Sequence, residues 1–445
     1  MPLFKAYDVR GIVPGELNEK IAYAIGKAAA EFLGSKQILV GRDMRTSSGP
    51  LSKALCRGIT DTGRDIVWIG QCTSPMCYFA VGRYGYGGGV MVTASHNPAQ
   101  YNGMKFCGKG ALPIGADSGL KEIEKSTWAA MEQKPSSRKP SSGKGKMATK
   151  QILKDYVKHV LSFAQHIKPM NIVMDSGNGM TGKFLPALLK KLPLKVKKMY
   201  FKPDGTFPHH EADPLKDENL RDLQKEVLAQ KADLGIAFDG DGDRVAFVDE
   251  KGQRVPNDLI TALIAREILA KTKAPIVYDL RSSWVVKEEI LKGGGTSLES
   301  RVGHSFIKAL MRKHGAVFGG EVSGHYYFKE NYFADSADIA WIKILNLLSV
   351  QNRPFSEVVA PLRRYYSTGE INFHVRDKDN LLAKLKTQYG DGDVSAMDGV
   401  SVHYKDWWFN VRPSNTEPVL RLNLEAKTEG RMSEKKAELE KILSS

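Results

Sequence analysis

Three aspartates alternate with two glycines at Asp239-Gly240-Asp241-Gly242-Asp243, and Arg244 follows them. The glycines let the backbone curl until three carboxylates face one point, where their mutual repulsion calls for a cation. Few, hard oxygen ligands with room left for a phosphate oxygen suit Mg²⁺. A calcium EF-hand loop competes, because Glu250 falls at its twelfth position. Arg244 occupies the sixth, where glycine is required, and the flanks read as strands, so that reading is set aside. Three further polar loops offer chemistry. In Thr93-Ala94-Ser95-His96-Asn97-Pro98 the serine hydroxyl is either a nucleophile and phosphate carrier or a turn residue, with Pro98 stopping regular structure. Gly319-Gly320-Glu321-Val322-Ser323-Gly324-His325 gathers a carboxylate, a hydroxyl and an imidazole suited to sugar hydroxyls, or forms a polar turn. Arg412-Pro413-Ser414-Asn415-Thr416-Glu417-Pro418 joins a guanidinium to small donors, a pattern for gripping phosphate or for a proline-bounded turn.

These loops need elements to position them, and the chain repeats a pattern that supplies them. An apolar strand ends in aspartate at Ile38–Asp43, Ile172–Asp175 and Ile276–Asp279. Each is followed later by a second apolar strand running into one of the loops: Gly89–Asn97, Leu234–Asp243 and Ala316–His325. Apolar residues recur at helical spacing between them, in Leu51–Thr62, Leu220–Lys231 and Ser305–His314. The expectation is an α/β protein: three consecutive related domains with mixed sheets, then a smaller α+β C-terminal domain, around a central cleft. Open α/β sheets bind ligands beyond the carboxyl ends of their strands, where the loops fall. A Ser/Pro/Gly-rich linker at 133–147 and the turn Asp249–Gly252 place the boundaries at 1–147, 148–252, 253–365 and 366–445.

At 445 residues the chain exceeds what one core supports. It shows no long apolar run and no secretory start, so neither a membrane partner nor export is expected. Cys56, Cys72, Cys77 and Cys107 form no C-x-x-C pair, which argues against a disulfide framework or structural zinc site and fits a reducing cytoplasm. The net charge of +15 is concentrated in 134–150 and 190–202. The first reads as a solvated linker and the second as a helix end leading to an edge strand whose lysines discourage pairing. Neither interleaves aromatics as nucleic-acid platforms do, so no nucleic-acid partner is expected. Gly177-Asn178-Gly179-Met180-Thr181-Gly182 matches a dinucleotide fingerprint with Asp204 downstream. Asp175 at the strand end would repel a pyrophosphate, so the glycines read as a tight strand-to-helix turn.

Taken in order, the four loops resemble those of the α-D-phosphohexomutase family, phosphomannomutase/phosphoglucomutase branch, and the resemblance extends back to Phe4-Lys5-Ala6-Tyr7-Asp8-Val9-Arg10-Gly11. It implies a phosphoserine at Ser95 that, with Asp239, Asp241 and Asp243, holds Mg²⁺. Catalytic roles are implied for Ser95, His96, Arg10, Lys105 and His325, and substrate binding for Tyr7, Arg244, Arg281, His304, Glu321, Ser323, His325, Arg412, Ser414, Asn415 and Thr416. Arg281 stands where this branch commonly has lysine. Val322 stands where it usually has methionine, apolar in both, which disfavours the glucosamine branch. The implied activity converts hexose 1-phosphate to hexose 6-phosphate, of mannose and/or glucose. Glucose 1,6-bisphosphate or mannose 1,6-bisphosphate would be activator and intermediate, hexose phosphates the partners, and a monomer, otherwise a dimer, the assembly. His96 and His325 both remain candidates for the base. A phosphoglucosamine mutase is the nearest alternative; a basic nucleic-acid-binding scaffold has only charge in its favour.

Overall fold

The structure, a computed structural model, describes residues 3–132, 143–414 and 419–444. The chain divides into two compact units, 1–256 with 323–358, and 257–322 with 359–445.

Two mixed sheets build the first unit. In the first, strands Gly88–Val92, Gln37–Arg42 and Asp65–Gln71 run parallel. Tyr101–Gly108 pairs antiparallel with Gly88–Val92, and Val9–Ile12 pairs antiparallel beyond it. Met147–Thr149 returns to this sheet alongside Asp65–Gln71. Helix Glu19–Leu33 starts where the Asn18 side chain accepts from Ile21 N and ends at the left-handed Gly34, so both termini carry sequence-coded caps. Its buried face, with Ala22, Ile25 and Ala29, joins the core formed by Ile38, Val40, Leu55, Val90 and Met104.

In the second sheet the order is Arg254–Val255, Val245–Asp249, Leu234–Phe238, Met170–Asp175, Leu194–Met199. Leu234–Phe238 is parallel to Met170–Asp175 and antiparallel to Val245–Asp249, with Phe238 opposite Val245. The acidic segment is therefore the loop of a hairpin, with no helix on either side. Leu194–Met199 is an edge strand, as its lysines suggested. A hairpin of Tyr326–Phe328 and Ala334–Asp335 and the helix Ala337–Gln351 complete this unit.

In the second unit, Pro275–Asp279 lies between Thr296–Ser300 and Phe318–Gly320, all parallel. The C-terminal sheet is antiparallel, in the order Tyr366–Phe373, Leu420–Ala426, Trp407–Pro413, Val400–His403, Asp393–Ser395. Leu420, Leu422, Leu424 and Ala426 alternate into its core with Trp407, Phe409 and Val411, which leaves Arg421, Asn423 and Glu425 on the other face. One expectation is corrected here. The polar loop expected from Arg412 starts later, because Arg412 and Pro413 belong to the strand, opposite Arg421 and Leu420, where the ladder continues through them. Asn415 and Thr416 lie outside the described residues.

The repeated strand-end aspartates have a common physical role. Asp43, Asp175 and Asp279 each accept a backbone N–H from two residues on: Arg45 N at 2.9 Å, Gly177 N at 2.7 Å and Arg281 N at 2.8 Å. Each turns the chain at the strand's end by an Asx-type bond. The fingerprint-like glycines are consumed by packing. A Cβ on Gly179 would lie 2.9 Å from the Gly240 carbonyl, and Met180 N donates to that carbonyl at 2.9 Å. Among the described residues no helix is long and apolar enough to cross a membrane.

Helix Leu153–Leu161 is joined to helix Ala337–Gln351 by the Tyr156 hydroxyl, which donates to Asp338 Oδ2 at 2.6 Å with both residues fully buried. Burial pushes the Asp338 carboxyl up to about 7, against the opposing pull of Tyr156. Because its folded value exceeds the unfolded one, near 3.9, this group's contribution is complete below the unfolded value and is lost as pH rises through about 7. The unfolding free energy should fall between about pH 4 and pH 7 with a component of at most about 1.4 kcal/mol per pH unit, and Asp338→Asn should flatten that component.

Candidate active site

Ser95 follows the strand Gly88–Val92 in a left-handed conformation, φ 50°, which few non-glycine residues adopt without support. The support is Arg45. This guanidinium is 1% exposed and donates to the carbonyls of Ser95 at 2.8 Å, Asn97 at 2.5 Å, Pro98 at 2.8 Å and Tyr101 at 3.0 Å. Arg45 is itself fixed by Asp43, 3.4 Å from its Nε, and packs over the Phe207 ring at 5.0 Å. Arg10 holds the same loop from another side, donating to the Ala94 carbonyl at 2.7 Å and to Asn97 Oδ1, while Asp8 takes its Nε at 2.9 Å.

So held, the Ser95 hydroxyl donates to Asp239 Oδ2 at 2.6 Å and lies 3.2 Å from His96 Nδ1. The acidic loop approaches so closely that a Cβ on Gly240 would stand 2.5 Å from the Ser95 carbonyl oxygen; glycine is required there. Asp239, Asp241 and Asp243 each offer an oxygen within 4.8 Å of the others. All three are buried, and backbone N–H groups of Asp243 and Arg244 cap Asp239 Oδ1, both at 3.1 Å.

The compensating charges are equally specific. Lys105, opposite Met91 on the strand Tyr101–Gly108, reaches Asp241 Oδ2 at 2.7 Å and Asp243 Oδ2 at 2.5 Å. Ser74, first in the helix Ser74–Tyr84, donates its hydroxyl to Asp241 Oδ2 at 2.6 Å and its amide to the Asp241 carbonyl at 2.9 Å. A helix N-terminus facing a carboxylate adds favourable dipole. His325 Nε2 lies 3.3 Å from Asp243 Oδ1, and its Nδ1 is 2.8 Å from Ser323 Oγ. Burial, then Asp243 and Asp241, drive Asp239 well above the usual carboxylate range. For Asp243 burial acts upward too, but Lys105 and His325 prevail and hold it well below. Burial and the guanidiniums of Arg244 and Arg10 hold His96 well below its ordinary value, so its ring is neutral.

The first unit thus brings together Ser95, His96, Arg10, Lys105, the three aspartates, Arg244, Ser323 and His325. Tyr7 is half-buried in the bend before the strand Val9–Ile12. The second unit carries the rest. Asp279 grips Arg281 through Oδ1 at 3.2 Å and Oδ2 at 2.8 Å and also accepts Val322 N at 2.9 Å. Glu321 accepts Gly303 N at 3.0 Å, beside His304 at the start of helix His304–His314. Ser414 follows the strand that ends at Pro413, and its amide donates to the Val419 carbonyl at 2.9 Å. Sequence reasoning missed Arg45 and Ser74. Arg45 lies two residues beyond the flagged Asp43, a spacing that signals an Asx turn but not the reach of the side chain. Nothing local marks Ser74.

Models of known families match most of the chain in four consecutive pieces. Phosphoglucomutase/phosphomannomutase alpha/beta/alpha domains I, II and III match residues 1–134, 154–252 and 256–365, and the C-terminal domain matches 370–442. The expected architecture of three α/β domains and a smaller C-terminal one is that of these families. A phosphomannomutase of Vibrio cholerae is 39% identical over 462 residues, spanning 99% of this chain and 98% of that protein. One from Methanocaldococcus jannaschii is 40% identical over 444 residues, spanning 99% and 97%. The crystal structure of a phosphoglucomutase/phosphomannomutase family protein from Burkholderia thailandensis superposes with a TM-score of 0.90 at 31% identity, covering 99% of this chain and 96% of that one.

Arg45→Ala should leave Asp43 buried without its counter-charge and lower stability by about 3–5 kcal/mol, measured as a fall in the urea midpoint. Arg45→Lys keeps the charge but not the planar fork, and should recover only part of the loss.

Proposed function

The chain belongs to the phosphoglucomutase/phosphomannomutase family, and on that premise we propose that it is an isomerase converting hexose 1-phosphate to hexose 6-phosphate, of mannose and/or glucose, through a phosphoserine at Ser95. The observation that carries this reading is the Ser95 hydroxyl 2.6 Å from Asp239 Oδ2, beside two further carboxylates that converge with it. A hydroxyl serving only as a turn residue needs no such company.

The residues present fit a divalent cation. Asp241 Oδ1 is buried without a hydrogen-bond partner, and hard oxygens within 4.8 Å of one another are the donor set Mg²⁺ prefers. Asp239, Asp241, Asp243 and Ser95 would hold it. When bound, Mg²⁺ supplies charge neutralisation for the transferring phosphoryl group. The chain's own residues do the rest. Arg45 and Arg10 fix the Ser95 loop so that the phosphoryl donor is aligned before substrate arrives, the positioning that phosphoryl transfer demands. Lys105, already between two carboxylates, and Arg10 place positive charge where the transferring oxygens collect negative charge.

In the forward half-reaction the phosphoserine O–P bond breaks and a bond forms to the free sugar hydroxyl. That hydroxyl's proton passes to a base, for which His96 and His325 are the two candidates. The resulting hexose 1,6-bisphosphate, of glucose or mannose, turns over and returns its other phosphate to Ser95. Glu321 and Ser323 take sugar hydroxyls, with His325, Tyr7, Arg244 and His304 around the substrate. Arg412, Ser414, Asn415, Thr416 and Arg281 grip the phosphate that is not transferred. We assign domains at 1–147, 148–252, 253–365 and 366–445, a division supported by the consecutive family matches. Four buried free thiols suit a cytoplasmic enzyme acting on small hexose phosphates as a monomer or dimer.

Intact mass should show one covalent phosphate, absent in Ser95→Ala, and that variant should lose essentially all turnover of mannose and glucose 1-phosphates in a coupled assay. An unphosphorylated but fully active Ser95→Ala protein overturns the scheme, and glucosamine phosphate as the preferred substrate would move the chain to the neighbouring branch. In a separate measurement, Mg²⁺ at one hundred times its dissociation constant should stabilise the protein by about 2.7 kcal/mol, reversed by chelation and absent in Asp241→Asn.

A further inference from the structure

Within the second unit one carboxylate sits among three guanidinium groups. Glu370 Oε2 accepts Arg412 Nη2 at 3.0 Å and Arg281 Nη1 at 3.3 Å, and Oε1 accepts Arg421 Nη1 at 2.9 Å. The backbone is shaped to put it there. Along the strand Tyr366–Phe373 the partners step from Glu425 opposite Ser367 to Asn423 opposite Glu370, so the strand gains one residue at a bulge containing Gly369, φ 66°. Such a bulge re-aims the side chain that follows it. Without it Gly369, not Glu370, would face Asn423.

The arginines are in an arrangement that needs an explanation. Arg412 and Arg421 are directly opposed across two antiparallel strands, a position where like charges repel. Arg281 is added to them while still gripped by Asp279. Arg412 is 2% exposed, and its Nε, also buried, has no acceptor among the described residues. Glu370 holds that guanidinium at Nη2 and leaves the Nε unsatisfied, which is how a fork is presented to an incoming anion. Burial acts to raise the Glu370 carboxyl, but Arg281, Arg412 and Arg421 bring it down to about 2, so it stays charged throughout the working range. Arginine at 281 extends this network, since its fork spans Asp279 and Glu370 at once, which a lysine's single point of charge does less well.

We propose that Glu370 is the positioning residue of the phosphate grip, holding Arg281, Arg412 and Arg421 in a preassembled set that receives the phosphate of the hexose that is not transferred. Glu370 does not touch the reacting atoms; it acts through the arginines by removing the disorder they would otherwise lose on binding. The inference rests on the reading of Arg412 as a phosphate-binding residue, and the test separates the two.

Competitive inhibition by inorganic phosphate and KM for hexose 1-phosphate are measured for the full chain and for Glu370→Gln, Glu370→Asp and Arg412→Gln. Glu370→Gln should weaken phosphate inhibition and raise KM, each about tenfold or more. Ser95 phosphate occupancy should stay unchanged and kcat should change less than KM. Glu370→Asp, which retains the carboxylate, should recover part of the effect and serves in its place if Glu370→Gln does not fold. Normal KM and inhibition in a folded Glu370→Gln overturn the proposal, and so does tighter phosphate binding, which would make Glu370 a competitor for the site. If Arg412→Gln also leaves phosphate inhibition unchanged, the phosphate-binding reading itself fails and this inference with it.

Discussion

Three carboxylates forced together inside a protein set the terms for everything around them. Asp239, Asp241 and Asp243 are each no more than 2% exposed, so their repulsion is poorly screened by water. The fold answers with an ammonium from a neighbouring sheet, an imidazole, a serine hydroxyl at a helix N-terminus and two loop amides. These come from different elements, so the acidic loop organises the first unit as much as the unit supports the loop. The reactive hydroxyl is part of that compensation, since it donates a hydrogen bond to Asp239.

The same logic recurs at smaller scale. Each α/β core turns one of its parallel strands by an aspartate that caps the backbone two residues on, and in two of the three that aspartate also holds an arginine. Asp43 holds Arg45, which fixes the serine loop; Asp279 holds Arg281, which joins the arginine cluster. In the middle core the partner is His210, 2.9 Å from Asp175. Repetition of a turn has thus produced three different outcomes, according to which side chain the aspartate meets.

Much of this was legible in the sequence because it is local. Alternating glycines and aspartates at 239–243, the strand-end aspartates and the helical spacing of Leu220–Lys231 encode their structures within a few residues. The acidic loop was expected between strands, and Phe238 pairs with Val245. What escaped was non-local. Ser74 reaches Asp241 across a long separation, and its sequence shows only a serine before proline. The strand boundary at Pro413 was misjudged because Arg412 and its neighbours look like a polar loop, whereas pairing with Arg421 and Leu420 carries the ladder through them. Glu370 was invisible because a bulge, not a motif, determines where it faces.

The division of the chain into units has a consequence for how the protein is made. The first unit is interrupted between residues 256 and 323. The Gly324 carbonyl accepts Val245 N at 3.1 Å, and His325 meets Asp243, so elements next to the acidic loop are supplied by a later stretch. During synthesis the ribosome must deliver most of the third α/β core before the environment of Asp243 can close. A nascent chain halted anywhere in that interval would carry its concentrated negative charge without its full complement of partners, which makes the interval a period of exposure for quality control to monitor.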